Sequence, residues 1–336
     1  SGKLSSTIRH ISGCPVECCN GIVYVAKMED IFITHKKTTI MRSIRFNDKK
    51  TGEEITIAYS DYGQGQPVVL IHGWPSSREM WEYQLGDLVN GGYRVIKYDR
   101  RGFGKSSKPW TGYDYDTLAT DLHELILQLN LKDIILTGFS MGGGEVVKYI
   151  AKYGQDRIAR IVLISSIVPY MLKTPDNPEG IEAEVFDQMI SGIQEDRIGY
   201  LDEFGRHFFG VGFLNKPVSA PLLQHFLNLA SKATQQSTIE CIKNFSGVDL
   251  RKDVKNITVP ALIIHGDNDK IVPLEASSAR TAEMLPHAEL VVYNGAPHGL
   301  FYTHRQLLNR DLLNFFAGLK HVEPEPDDSA ILASPF

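Results

Sequence analysis

Gly138-Phe139-Ser140-Met141-Gly142 is a G-x-S-x-G stretch, and its flanks decide how the chain folds. Asp133-Ile134-Ile135-Leu136-Thr137, just before it, is short, apolar and β-branched, the pattern of a buried strand. Gly143 through Ala151, just after it, reads as a helix. Strand, tight turn and helix is the context in which this motif presents a serine. Its glycines let the turn crowd against both elements, so the hydroxyl stands clear at the carboxyl edge of a sheet. Ser140 is the candidate nucleophile.

Working outward, the same alternation recurs. Ile55-Thr56-Ile57-Ala58-Tyr59 alternates like a strand with one exposed face. Val68-Val69-Leu70-Ile71 is continuously apolar, as expected of a strand covered on both faces, and runs into His72-Gly73-Trp74-Pro75. Helices are expected over Arg78–Val89 and Tyr115–Leu129, the second carrying a stripe of Leu118, Leu122, Leu125, Ile126 and Leu129. Tyr93–Tyr98 and Ile158–Ile164 read as further strands. Pro260–Ile264 is another, ending in His265-Gly266-Asp267-Asn268-Asp269. After a helix expected over Leu274–Leu285, the strand Glu289–Tyr293 leads to Ala296-Pro297-His298-Gly299, and Arg305–Leu319 closes as a helix. Strands alternating with helices predict an α/β fold with a mostly parallel sheet covered on both faces. In such sheets the chemistry collects beyond the carboxyl ends of the strands.

The alternation breaks between residues 168 and 256, where helices are expected over Asp187–Ile193, Leu201–Phe209, Pro221–Lys232 and Ser237–Phe245. Aromatics are dense there, Phe204, Phe208, Phe209, Phe226 and Phe245 among them. A helical insertion placed after the nucleophile half reads as a cap. The expected layout is a core of residues 41–167 and 257–320 with a cap of residues 168–256.

Composition bounds the function. The chain has 336 residues, 43% hydrophobic and 22% charged, which is ordinary for a globular protein. A net charge of −5 leaves no basic footprint, so no nucleic-acid partner is expected. No apolar run approaches the roughly 20 residues needed to span a bilayer, and no secretory signal is visible, so the expected compartment is cytoplasmic with no membrane contact. Residues 1–40 lack sustained periodicity and read as a poorly ordered leader, an extension upstream of a natural start at Met41. Cys14, Cys18 and Cys19 crowd into that leader without the second ligand pair that a zinc site wants, so no metal is expected. Residues 321–336 are acidic and proline-rich and are expected to be disordered.

A serine hydroxyl needs a base, and a base working near neutral pH is most simply a histidine held by a carboxylate. Of the 11 histidines, His298 alone lies in a glycine- and proline-flanked loop after the last strand, which makes it the candidate base. Asp269 and Asp267 follow one strand. Asp269, farther out, suits the reach to His298, and Asp267 suits the turn, whose backbone groups aspartates often satisfy. Two donors are needed for the oxyanion: the amide of Met141, opening a helix, and that of Trp74. Trp74, Pro75 and Phe139, beside these loops, are candidate substrate-pocket residues.

With these motifs placed, the chain closely resembles the cofactor-free bacterial haloperoxidases, also called non-haem chloroperoxidases, perhydrolases or arylesterases of the α/β-hydrolase fold. The resemblance rests on His72–Pro75, Tyr98–Ser106, Gly138–Glu145, His265–Asp269 and Pro297–Gly299, and covers about Met41 to Leu319. It implies Ser140, Asp269 and His298 as a catalytic triad, with Trp74 and Met141 as oxyanion donors. It also implies hydrolysis of small aryl and alkyl esters, no haem, metal or other cofactor, and assembly as a homo-oligomer. Peroxidase activity would be a side reaction: peroxide attacks the acyl-enzyme and releases a peracid, which oxidises halide in solution. The expected function is thus a serine carboxylesterase for small-molecule esters. A lactonase or carbon–carbon bond hydrolase is the alternative with the same triad, and a ligand receptor that kept a hydrolase pocket is the alternative from another class.

Overall fold

The computed structural model describes residues 42–319 and residue 321. The expected leader and its three cysteines, Met41, and all of the expected tail except His321 lie outside the described residues.

The described residues form one eight-stranded sheet in the order β1-β2-β4-β3-β5-β6-β7-β8. A hairpin of β1 (Arg42–Asn47) and β2 (Glu54–Tyr62) opens it, with β2 antiparallel to both β1 and β4. The remaining pairs are parallel, from β4 (Arg94–Tyr98) and β3 (Pro67–Ile71) through β5 (Ile134–Phe139), β6 (Ile158–Ile164) and β7 (Ala261–Gly266) to β8 (Glu289–Tyr293). The apolar runs sit where burial on both faces is complete: every residue of β5 and β7 is buried. At the edge, β8 exposes Leu290 and Val292 while burying Val291 and Tyr293. That is the alternation of a strand with one covered face.

Strand order positions the site. From β3 the chain passes through α1 (Glu82–Asn90) to β4 on one side. It then returns through α2 (Tyr115–Gln128) to β5 on the other. The reversal opens a crevice beyond the carboxyl ends of β3 and β5, where ligands bind in open α/β sheets. The loop after β3 carries His72–Pro75, and the turn after β5 carries Ser140 and enters α3 (Met141–Tyr153). α2 starts where Asp114 accepts a bond from the Thr117 amide at 3.0 Å, a side-chain N-cap.

Between β6 and β7 the chain runs through α4 (Ala183–Phe208), α5 (Ala220–Ala230), α6 (Gln235–Gly247) and the single turn α7 (Arg251–Val254). The two helices expected over Asp187–Ile193 and Leu201–Phe209 are halves of α4, which breaks at one residue, Asp196 (φ −145°, ψ 88°). Its carboxylate accepts from the amides of Ile198 (3.1 Å) and Gly199 (2.9 Å) and so restarts the helix at once. Two other helices are shorter than their apolar patterns predict. The one after β7 is α8 (Ser278–Met284), because residues 273–277 are taken up by a turn in which Ser277 Oγ donates to Pro273 O at 2.7 Å. The closing one is α10 (Arg305–Phe316), which stops short of Leu319 and is preceded by the single turn α9 (Leu300–Thr303). Arg78–Trp81 forms a 3₁₀ turn ahead of α1.

Candidate active site

Ser140 stands in the left-handed half of backbone space (φ 53°, ψ −119°), where a side chain is strained and the neighbouring glycines become necessary. A Cβ on Gly138 would lie 2.5 Å from Gly142 O, and one on Gly142 would lie 2.7 Å from Ile71 O. The turn therefore closes only with hydrogen at both positions.

Ser140 Oγ lies 3.0 Å from His298 Nε2, and His298 Nδ1 lies 2.6 Å from Asp269 Oδ2. The carboxylate can only accept, so Nδ1 carries the proton and Nε2 accepts from the serine hydroxyl. All three side chains are buried, with Ser140 6% exposed and His298 1%. Asp269 Oδ1 accepts from the amides of Ile271 and Val272, both at 2.9 Å. Burial works against the Asp269 charge, but His298 and His265 outweigh it and hold the carboxyl well below the usual carboxylate range. Asp267 accepts instead from the Gly295 amide at 2.6 Å, in its turn. The structure thus separates the two aspartates: one faces His298, the other ties a loop. The imidazole packs between Phe139 (centroids 5.0 Å apart) and Phe208 (4.9 Å). Gly299 N donates to Phe208 O at 2.8 Å, fastening the histidine loop to the end of α4.

The amides of Trp74 and Met141 are both deeply buried, and neither finds an acceptor among the described residues. Met141 opens α3, where helix amides have no intrahelical partner and the dipole favours negative charge. Trp74 is held by a relay that sequence reasoning did not assign. Gly73 O accepts from Ser76 N at 3.0 Å and from His72 Nδ1 at 2.9 Å, and it belongs to the same peptide as the Trp74 N–H. His72 Nε2 accepts from the Arg100 amide at 3.0 Å, and the Arg100 guanidinium donates to His72 O at 2.7 Å. That guanidinium is paired with Glu145, which also accepts from Tyr98 Oη at 2.8 Å. Burial first, and then the adjacent Arg100 charge, push His72 well below its ordinary value, so the ring is neutral. Burial opposes the Arg100 charge, but Glu145 outweighs it and the guanidinium stays above its ordinary range. His72, Arg100 and Glu145 all stand in the motif stretches quoted above, but motif spacing does not reveal which atoms meet.

A cavity of about 450 Å³, counting the part open to solvent, adjoins Ser140 and His298. Trp74 lines it, its indole N–H donating to Thr238 O at 3.1 Å. The helical insertion and the segment leading into it supply Met171, Ile181, Phe186, Met189, Phe204 and Phe245, and the loop after β7 supplies Ile271 and Val272. Two expected pocket residues stand elsewhere. Phe139 ends β5 just before the turn, and its ring packs against Trp81, Phe301 and the His298 imidazole rather than lining the cavity. Pro75 is buried inside the Gly73–Ser76 turn and is not among the lining residues. Among the described residues no group of His, Cys, Asp and Glu is arranged to hold a metal, and no helix is long and apolar enough to cross a membrane.

Such a site can deprotonate a hydroxyl, stabilise an oxyanion and seat an apolar group. The α/β-hydrolase fold family model matches residues 66–305. The non-heme chloroperoxidase of Kitasatospora aureofaciens is 39% identical over 267 residues, 79% of this chain and 97% of that one. The bifunctional esterase/perhydrolase of Acinetobacter calcoaceticus is 36% identical over 268 residues, again 79% and 97%. The crystal structure of a Bacillus anthracis bromoperoxidase superposes with a TM-score of 0.79 at 45% identity, covering 82% of this chain and 100% of that one. The chain belongs to the α/β-hydrolase fold family, in the group that holds the non-haem haloperoxidases.

Proposed function

We propose that the protein is a serine carboxylesterase of arylesterase type, acting on small to medium uncharged esters through an acyl-enzyme on Ser140. The observation that carries this reading is the hydrogen-bond chain Ser140–His298–Asp269, at 3.0 and 2.6 Å, beside two unpaired buried amides. His298 Nε2 takes the hydroxyl proton as Ser140 Oγ attacks the ester carbon, and Asp269 stabilises the imidazolium. The amides of Trp74 and Met141 receive the oxyanion, each donor being worth on the order of 10²–10³ in rate. The imidazolium then protonates the leaving alcohol, and His298 next activates the second nucleophile. Water gives the acid; hydrogen peroxide gives a peracid, which oxidises halide away from the protein.

The helices between β6 and β7 act in this reading as a cap over the sheet edge. The cavity wall favours an uncharged substrate. Its polar side-chain groups are those of Ser140, His298 and the Trp74 indole N–H, which is already engaged. A substrate carboxylate would be buried there without a partner, at a cost of several kcal/mol. This favours simple esters over carboxylate-bearing lactones or carbon–carbon hydrolase substrates. A panel of p-nitrophenyl esters from acetate to octanoate, with a half-ester of a dicarboxylic acid, tests the reading. Turnover of the neutral esters with rejection of the charged one is expected; turnover of none contradicts it.

A further inference from the structure

A second histidine faces the carboxylate of Asp269. His265 lies near the end of β7 and is fully buried. Its Nε2 is 2.8 Å from Val272 O and 3.2 Å from Asp269 Oδ2, and its Nδ1 is 2.7 Å from Ser278 Oγ. A carbonyl oxygen can only accept, so Nε2 carries a proton. The Ser278 hydroxyl has no other acceptor among the described residues, so it donates to Nδ1. The ring is therefore neutral, with its Nε2–H bonded to the Val272 carbonyl and the carboxylate alongside.

We propose that His265 is a positioning residue for the acid of the catalytic chain: its Nε2–H, bonded to Val272 O and standing beside Oδ2, fixes the turn that holds the Asp269 carboxylate and limits its basicity. The proposal rests on the triad reading above. Asp269 accepts from three donors, His298 Nδ1–H and the amides of Ile271 and Val272, and His265 Nε2 stands 3.2 Å from its Oδ2 as a fourth polar neighbour. His298 and His265 are the titratable groups that face it. A buried carboxylate with fewer N–H groups facing it is a stronger base. It would hold the His298 imidazolium more tightly and keep the base protonated, hence idle, to higher pH. His265 also seats the turn through Val272 O, and Ile271 and Val272 of that turn line the substrate cavity. One side chain thus sets both the acid and part of the wall.

The test combines the pH dependence of kcat/KM for p-nitrophenyl acetate with an NMR titration of the His298 ring, which needs no turnover. In His265→Phe, of similar volume but without donors, the acid limb and the His298 midpoint should both rise by about half a pH unit. Neutral-pH kcat/KM should fall about tenfold, through kcat, well short of the roughly 10⁴ that follows loss of the orienting carboxylate itself. His265→Gln can place an amide N–H near the lost Nε2–H and should restore most of both. Ser278→Ala, a one-atom deletion, should shift the midpoint in the same direction by less. A wild-type midpoint in folded His265→Phe, or in Ser278→Ala should the first variant not fold, overturns the proposal. Absence of ester turnover in the wild-type protein refutes the functional reading instead, and the NMR midpoint still decides the role of His265.

Discussion

Replacing Glu145 by glutamine should destabilise the protein by several degrees and slow turnover with little change in KM. Glu145 and Arg100 are each 1% exposed at the side chain, so the pair is wholly withdrawn from water. Glutamine has nearly the same volume, so no cavity opens, and its carbonyl can still accept from the guanidinium. What is lost is the countercharge. Leaving one member of a buried ion pair uncompensated costs about 3–5 kcal/mol. The retained hydrogen bond argues for the lower end, about 3 kcal/mol. At roughly 2 °C per kcal/mol for a large domain, the melting temperature should fall by about 6 °C. The same guanidinium holds His72 O, and His72 holds the peptide that carries the Trp74 amide, so kcat should fall as well, within the 10²–10³ or so that one oxyanion donor is worth. Circular dichroism melts and initial rates on p-nitrophenyl acetate measure both. The double variant Arg100→Met with Glu145→Leu should recover much of the stability, since apolar replacement of a buried pair is often neutral. It should not recover the rate, because His72 O has lost its donor. A melting temperature for Glu145→Gln within about 1 °C of wild type would refute the energetic argument. A normal kcat in a destabilised but folded variant would refute the link from the ion pair to the oxyanion donor.

Asp269→Asn should cut kcat by about 10⁴ with the fold intact, whereas Asp267→Asn should leave kcat within a few-fold, as rates on the two purified variants will establish. The folded-state pKa of Asp269 is depressed, so its contribution to stability is present above the unfolded carboxylate value of about 3.9 and is lost as pH falls below it. Urea melts should therefore show a gap between wild type and Asp269→Asn at pH 7 that narrows by pH 3. Met189→Trp should fill part of the apolar cavity and lower kcat/KM for octanoate by more than tenfold relative to acetate, measured on the same ester series.

What the chain declares about itself follows the range of the interactions involved. The strands at the centre of the sheet were legible because burial on both faces demands unbroken apolar runs such as Val68–Ile71 and Ala261–Ile264. The nucleophile turn was legible because only glycine fits at 138 and 142. Asp269 was separable from Asp267 by reach alone: in the fold the first lies 2.6 Å from His298 Nδ1 and the second 2.6 Å from Gly295 N. The two halves of α4 were found, but not their near continuity, since Asp196 caps one helix only a residue after the other ends. Pocket membership was the least legible. Phe139 was expected in the wall and lies beneath His298, because the side a residue takes at a strained turn depends on the turn's own geometry. Met171, Met189 and Phe186 carry no local mark that separates a lining residue from a packing one. The relay from Glu145 to Trp74 joins a helix to two loops distant in sequence, and no spacing rule encodes it.

The central claim is that Ser140 forms the acyl-enzyme, and covalent trapping tests it most directly. Wild-type protein incubated with a serine-directed p-nitrophenyl phosphonate should release one equivalent of nitrophenol, and peptide mass spectrometry should place the adduct on Ser140. Ser140→Ala should take up no label and lose ester turnover by several orders of magnitude. Undiminished turnover in Ser140→Ala, or stoichiometric label on another residue, would contradict the account.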